Sequence, residues 1–417
     1  MENKITLRPY QQVIVEKTCK LLRDAPRFAY LSMEVRTGKT LTALSALDCA
    51  GGVASVLFVT KKKAIEGIKK DYNALAPSYK CDFINYESLH KIVDICYDAI
   101  VFDEAHGMGA FPKPSLRAIE ARRLVHHCDP YVIFLSGTPS PESYSQMYHQ
   151  MWILGYRGPF TEPTFYKWAH SYVKIWERMI NGFRVHDYSN GIQEKIMEEV
   201  KPYMISYTQN EAGFTSKVNE HVLKVRMSNT TYMIADKLKR DLLFEGKDDL
   251  ILADTPVKLM QKLHQIYSGT VILESGKSVV LDKTKAEFIK GRFAGKRIAV
   301  FYKFQEELKC LLSVFQEDMT TDLGKFHAGE CNNFAIQIVT GREGISLKEA
   351  DFLVYYNIDF SATSYWQSRD RLTTMDRLEN NVYWIFAEDG IEEKIYKVVQ
   401  QKKPYTVSHF KKDLLSL

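Results

Sequence analysis

The sequence predicts an α/β protein with two parallel-sheet lobes and a mainly helical insertion between them. Three observations carry that expectation. Short, continuously apolar runs alternate with amphipathic runs towards both ends of the chain, the pattern of strands covered by helices on both faces. The alternation lapses near Pro141, where aromatic residues crowd at helical spacing, and resumes at Asp282. A chain of 417 residues also exceeds one typical core. The boundaries expected are residues 1–140 for the first lobe, 141–281 for the insertion and connector, and 282–417 for the second lobe.

Taken in order, residues 7–12 (Leu-Arg-Pro-Tyr-Gln-Gln) precede a helix-patterned stretch marked by Val13, Lys17, Leu21 and Leu22, with Pro9 well placed at its start. Residues 28–31 read as a strand and 41–47 as a helix. Between them, Met33-Glu34-Val35-Arg36-Thr37-Gly38-Lys39-Thr40 is a tight loop ending in Gly-Lys-Thr. Strand, loop and helix in that order are what a phosphate-binding loop needs. Backbone N–H groups and the helix N-terminus face the phosphates, the Lys ammonium reaches the β/γ oxygens, and the Thr hydroxyl ligates magnesium. Met33 stands where that pattern has its first Gly. Taken alone, Gly-Lys-Thr also fits an ordinary helix start.

Residues 54–59 read as a buried strand, 64–75 as a helix, 81–84 as a strand and 87–92 as a short helix. Two further strands, 99–102 and 131–135, end in chemistry. The first runs into Asp103-Glu104-Ala105-His106. Beside a phosphate loop, an Asp closing an apolar strand holds magnesium, and the adjacent Glu orients or activates the attacking water. The second ends in Ser136-Gly137-Thr138-Pro139, which as bare residues is a turn.

The aromatic stretch (Tyr144, Tyr148, Trp152, Phe165, Trp168, Tyr172 and neighbours) is read as a helical subdomain with an aromatic core rather than a base-stacking surface. A polar, Gly-containing stretch at 181–191 breaks it. Residues 220–225 read as an extended connector, 230–244 and 256–267 as helices, and Ser275-Gly276-Lys277-Ser278 as the turn of a hairpin. In the last third, helices are expected at 284–293, 305–315, 364–372 and 391–399. Strands are expected there at 297–301, 335–339, 352–356 and 382–386. A Gly-containing loop (Thr340-Gly341-Arg342-Glu343-Gly344-Ile345-Ser346-Leu347) follows one strand, and Gln367-Ser368-Arg369-Asp370-Arg371 lies on a helix, with Arg377 beyond.

The formal net charge of +5 permits a polyanionic partner without requiring one. Basic runs such as Lys61-Lys62-Lys63, Lys69-Lys70, Arg122-Arg123, Lys402-Lys403 and Lys411-Lys412 are each, alone, ordinary solvated surface. The seven cysteines are scattered and never spaced C-x-x-C, which argues against a disulfide framework or a zinc ribbon. The first residues begin no signal peptide, and no apolar run approaches the roughly 18 residues of a membrane span. The expectation is a soluble, cytoplasmic monomer (host cytoplasm if viral), with no membrane partner.

As an ordered set, these segments resemble superfamily-two helicases and translocases, specifically the Swi/Snf-type branch. The compact chain resembles the short DEAH-box DNA helicases encoded by bacteriophages more than it resembles a chromatin remodeller. Gln11 matches the Gln that recognises adenine, Gly38-Lys39-Thr40 motif I, Asp103 to His106 motif II and Ser136 to Pro139 motif III. Residues 59–63 and Tyr86-Glu87-Ser88 match segments that grip one nucleic-acid strand. Phe301-Tyr302-Lys303 falls at motif IV, residues 341–347 at motif V and 367–371 at motif VI. Residues 204–227 and 261–269 are similar to the connector and helices that branch carries between its lobes.

The resemblance implies two RecA-like lobes with ATP and Mg2+ bound in the cleft between them. It assigns Arg36, Thr37, Gly38, Lys39, Thr40 and Gly344 to the nucleotide, Thr40 and Asp103 to the metal, and Glu104 to the water. Arg371 becomes an arginine finger, and the motif III hydroxyls link the nucleotide to the interlobe cleft. Thr60, Lys61, Lys62, Tyr86, Ser88, Lys303, Thr340 and Ser346 are expected on duplex, forked or junction DNA, and the activity is ATP-driven translocation, including branch migration or fork remodelling. Three departures stand out. Thr374 occupies the place of the second Arg of motif VI, leaving Arg369 or Arg377 to substitute. Arg342 and Glu343 replace small or apolar residues in motif V. Arg36 replaces a common Gly. An RNA helicase would carry the same motifs, and an ATPase-weak binding scaffold is the reading Thr374 would favour.

Overall fold

The computed structural model describes residues 6–180, 183–213, 217–246, 249–341, 345–372, 379–401, 406, 409–410 and 413. The chain divides into two compact units, Met1–Phe214 and Thr215–Leu417. The division falls inside the stretch 141–281, so the first part of that stretch packs with one unit and the rest with the other.

In the first unit, helix α1 (Pro9–Arg23) leads into strand β1 (Phe28–Met33) and helix α2 (Lys39–Ala50). Strand β2 (Ser55–Thr60), helix α3 (Ile65–Leu75), strands β3 (Lys80–Asn85) and β4 (Ala99–Asp103), helix α4 (Leu116–Cys128) and strand β5 (Tyr131–Leu135) follow. Next come helices α5 (Met147–Trp152) and α6 (Phe165–Tyr172), the antiparallel hairpin of β6 (Trp176–Ile180) and β7 (Phe183–Asp187), helix α7 (Gln193–Val200) and strand β8 (Met204–Tyr207). Among the described residues, β3-β2-β4-β5-β1-β8 form one six-stranded sheet, parallel throughout.

The continuous apolar runs follow from burial on both faces. Phe28 and Tyr30 of β1, Leu57 and Val59 of β2, Ile100 and Phe102 of β4, and Val132 and Phe134 of β5 enter one core. Their alternates, Leu31 and Met33, Val56 and Phe58, Val101, and Ile133 and Leu135, enter the other. The first core is closed by α4 to α7 through Leu124, Met151, Trp168 and Val200; Tyr148 and Phe165 of the aromatic stretch join it, whereas Tyr156, Tyr166 and Trp176 are exposed. The second is closed by α1, α2 and α3 through Ile14, Leu44 and Ile68.

In the second unit, strand β9 (Lys217–Val225) precedes helix α8 (Asn229–Asp241), the hairpin β10 (Leu243–Glu245) and β11 (Leu250–Leu252), and helix α9 (Pro256–Tyr267). The hairpin β12 (Thr270–Ile272) and β13 (Ser278–Val280) follows, turning where expected. Then come helix α10 (Thr284–Arg292), strand β14 (Ile298–Tyr302), helix α11 (Gln305–Phe315), strand β15 (Met319–Thr320) and helix α12 (Leu323–Ala328). Strand β16 (Asn333–Gln337), helix α13 (Ile338–Gly341), strand β17 (Phe352–Tyr355), helix α14 (Ala362–Arg369), strand β18 (Glu379–Ala387) and helix α15 (Glu392–Val399) complete it. Its sheet, β15-β16-β14-β17-β18-β9, is again parallel. Each unit thus carries one six-stranded parallel sheet covered by helices, the two-sheet α/β class expected.

Some elements differ in detail. The helix expected over 230–244 stops at Asp241, because Leu242 adopts φ 58 and the next residues pair with β11. The strand expected over 335–339 stops at Gln337, where the chain turns into α13. Trp176–Ile180 and Phe183–Asp187 form a hairpin in a region expected to be helical and then broken. Among the described residues, no helix is long and apolar enough to cross a membrane.

Candidate nucleotide site

Because every strand of the first sheet runs the same way, the residues following β1, β2, β4 and β5 collect at one edge. The loop after β1 is shaped by two left-handed residues, Arg36 (φ 64) and Gly38 (φ 81). Gly38 caps α2 at a φ of 81, which side-chain-bearing residues rarely adopt, and a Cβ there would push the Gln11 amide aside. Met33 needs no such freedom. It is the last residue of β1, fully buried and paired in register with Tyr207.

The loop is held from three sides. Gln11, buried on α1, accepts the Arg8 N–H through Oε1 at 2.8 Å and offers Nε2 to the Gly38 carbonyl at 3.4 Å. Tyr10 Oη donates to the Thr37 carbonyl at 3.1 Å. From the far end of the unit, Gln209 donates its backbone N–H to Glu34 Oε2 (2.7 Å) and its side-chain amide to the Val35 carbonyl (3.0 Å). The Tyr10 and Tyr207 rings stack at 4.7 Å, joining α1 to the end of β8. Thr37 is buried, and its hydroxyl donates to the Glu34 carbonyl at 2.7 Å. Lys39 Nζ donates to that same carbonyl at 3.3 Å. Thr40, half-buried, is the second residue of α2, where backbone N–H groups lack helical acceptors.

At the end of β4, Asp103 Oδ2 accepts the Thr60 hydroxyl at 2.8 Å, and its carbonyl accepts Tyr86 Oη at 2.6 Å. Burial, with the neighbouring Glu104 carboxylate, pushes the Asp103 carboxyl up to about 6, against the pull of Thr60 and Lys39. Glu104 sits in the left-handed region at φ 52, with Oε2 3.3 Å from His106 Nδ1. His106 Nδ1 also lies 3.0 Å from Ser136 Oγ, which accepts the Thr138 N–H at 3.1 Å. Hydrogen bonds therefore run from the end of β4 to the end of β5.

This arrangement fits a magnesium-bound phosphate chain. A glycine-shaped loop and an open helix N-terminus can receive phosphate oxygens, and a cation beside two crowded carboxylates would relieve the strain on Asp103.

The other residues singled out in the sequence are placed as follows. Thr60 and Tyr86 are buried, with hydroxyls committed to Asp103, so both belong to the β4 end and present no surface to a strand. Lys61, Lys62 and Ser88 keep partial or full exposure beside them. In the second unit, Lys303 Nζ pairs with Asp359 at 2.9 Å and lies 4.0 Å over the Phe360 ring. Thr340 is half-buried near the end of α13, and the Ser346 carbonyl lies 3.1 Å from His327 Nε2. The Arg371 carbonyl accepts the Leu347 N–H at 3.3 Å, joining the turn after α14 to the loop after α13. Arg369 pairs with Glu220 at 3.0 Å. Glu220 also receives Tyr365 Oη, Trp384 Nε1 and Tyr396 Oη, so Arg369 serves the core of its own unit. Arg342, Glu343, Gly344, Thr374 and Arg377 lie outside the described residues. Sequence reasoning missed Tyr207, which ends a strand too short to announce itself, and Gln209 just beyond it.

Residues 4–94 match the family model described as the type III restriction enzyme, res subunit. No curated protein sequence matches the chain. Among solved structures, the chain is similar to the Sulfolobus solfataricus SWI2/SNF2 ATPase core in complex with dsDNA, at 15% identity and a TM-score of 0.44, covering 99% of this chain and 93% of that one. It is similar also to the SWI2/SNF2 ATPase core domain of that organism, at 15% identity and a TM-score of 0.43, covering 96% and 90%.

Proposed function

We propose that the protein is a DNA-dependent ATP hydrolase of the superfamily-two helicase kind, coupling ATP turnover to translocation on duplex or branched DNA. The observation that carries this reading is the meeting, at one edge of one parallel sheet, of the Gly38-Lys39-Thr40 loop and the Asp103-Glu104 pair. The family match over residues 4–94 supports it, since it spans Gln11, the loop and Tyr86 to Ser88. Bound ATP and magnesium supply the phosphoanhydride and the positive charge that a buried carboxylate pair calls for.

This chain's own residues do the rest. The backbone around Gly38 and the start of α2 receives phosphate oxygens, and Lys39 exchanges the Glu34 carbonyl for them. Thr40 and Asp103 hold the metal, with Thr60 fixing the Asp103 carboxylate. Glu104 orients the attacking water and takes its proton, held in place by His106 and Ser136. Gln11 reads the adenine edge, and Arg36 and Thr37 shape the loop. Lys61, Lys62, Ser88, Thr340 and Ser346 are assigned to the DNA backbone.

Lys39→Ala and Glu104→Gln are expected to lower steady-state ATP turnover by about a hundredfold or more while keeping a single cooperative thermal melt, the mark of an intact fold. Near-normal turnover in either variant would sink the assignment. Turnover of the wild type should rise with duplex, forked or four-way-junction DNA. A response to RNA alone would move the substrate to RNA, and no response to either polymer would leave only the scaffold reading.

A further inference from the structure

We propose that Cys96, His127 and Cys128 form a zinc site at the edge of the first sheet opposite the nucleotide loop. Their ligand atoms, two Sγ and one imidazole nitrogen, all lie within 4.8 Å of one another. The parallel ladder brings them together. β4 and β5 are neighbours with Ala99 opposite Tyr131, and Cys96 and Cys128 each stand the same short distance ahead of those residues. Two chain segments entering adjacent strands thus deliver one thiol each, and His127 comes with the second.

The segment carrying Cys96 is braced on every side, so the cluster is held by the fold. Arg123 of α4 donates to the carbonyls of Leu89 (3.2 Å) and Ile92 (2.9 Å). Cys128 Sγ lies 3.5 Å from the Ile95 carbonyl. Tyr97 Oη donates to Asp82 at 2.9 Å, and the Asp98 carboxylate takes both the Ala54 and Ser55 N–H groups at 2.9 Å. The Asp98 carbonyl receives the Tyr131 N–H at 2.9 Å, pinning the two segments to each other.

The donor set selects the ion. Two sulfurs and an imidazole without a carboxylate suit a soft or borderline cation and not magnesium or calcium. Zinc takes sulfur at about 2.3 Å and nitrogen at about 2.0 Å, so its ligands stand roughly 3.3–3.8 Å apart. Side-chain rotation closes the remaining gap, since Cys96 and His127 are exposed and Cys128 half-exposed. A water completes the tetrahedron from the solvent side. The site lies at the C-terminal end of α4, whose carbonyl dipoles favour a cation. Both thiols lose their protons to solvent on binding, and the metal clips the α4 end to the loop before β4.

The test is a cobalt titration of the reduced, chelator-stripped full-length chain. Expected are stoichiometric tetrahedral visible bands and a thiolate-to-cobalt charge-transfer band, bleached by equimolar Zn2+. Cys96→Ser and Cys128→Ser should abolish them and His127→Ala should weaken them, while Cys331→Ser leaves them intact. All four variants should keep wild-type ATP turnover, so a failure of the nucleotide assignment would not register here. Absence of the bands, or their persistence in Cys96→Ser and Cys128→Ser, would overturn the proposal. So would recovery of a Cys96–Cys128 disulfide in place of the metal complex.

Discussion

Asp103 illustrates how a buried carboxylate strains the fold that holds it. Its carboxyl titrates at about 6 because burial and Glu104 both disfavour the anion. In the unfolded chain the same group ionises near its ordinary value of 3.8. Between those two values the folded state holds more protons than the unfolded one, so rising pH costs stability. Above about 6 the cost is complete and below 3.8 it is absent. Asp103→Asn keeps an acceptor for Thr60 and removes the charge. We expect this variant to be more stable than the wild type at pH 7.5 by on the order of 2 kcal/mol. The gain should shrink in denaturant melts as pH falls through 6 towards 4. A constant gain across that range would show that the charge is not its source. The partners of Asp103 also mark where sequence reading stops at this scale. Gly38, Lys39, Asp103 and Glu104 are legible because each follows an apolar strand in a recognisable order. In sequence, Thr60 and Tyr86 group with their half-buried neighbours Lys61 and Ser88. Only the ladder between β2 and β4 reveals that the last side chain of β2 turns inward to the carboxylate.

Elements with a strong internal pattern were readable, and those made by their partners were not. Helix α11 spans Gln305–Phe315 as expected, since its apolar residues repeat at helical spacing and Glu307 caps its start by accepting the Phe304 N–H. Strand β8 has four residues and no pattern of its own, and exists because β1 offers it an edge. That short strand matters to the candidate site, because Tyr207 stacks on Tyr10 and Gln209 closes on Glu34 and Val35. Aromatic pairs of this kind contribute about 1 kcal/mol beyond area burial, roughly a fivefold change in an equilibrium constant. Tyr207→Ala should therefore raise KM for ATP about fivefold and leave kcat within about twofold, because it loosens the seat of the loop without touching Lys39 or Glu104. A loss confined to kcat would place Tyr207 in the chemistry instead.

Across the whole molecule, the net charge of +5 is too small to act as a general polyanion magnet, so any grip on DNA must come from local groups. Lys61 and Lys62 are the best placed of these. They follow β2 directly, one and two residues after Thr60, whose hydroxyl meets the Asp103 carboxylate, and they keep solvent exposure. A lysine on a DNA phosphate displaces a condensed counterion, which makes its contribution measurable as a salt dependence rather than as an affinity at one condition. Duplex binding followed by anisotropy over a series of KCl concentrations should give a falling straight line of log K against log salt. The Lys61→Ala, Lys62→Ala double variant should flatten that line by about 2 in slope, close to one per phosphate contact removed. Weakened binding with an unchanged slope would mean that the lysines act by shaping the protein. An unchanged line would remove both from the DNA surface and return the basic run after β2 to ordinary solvated lysines.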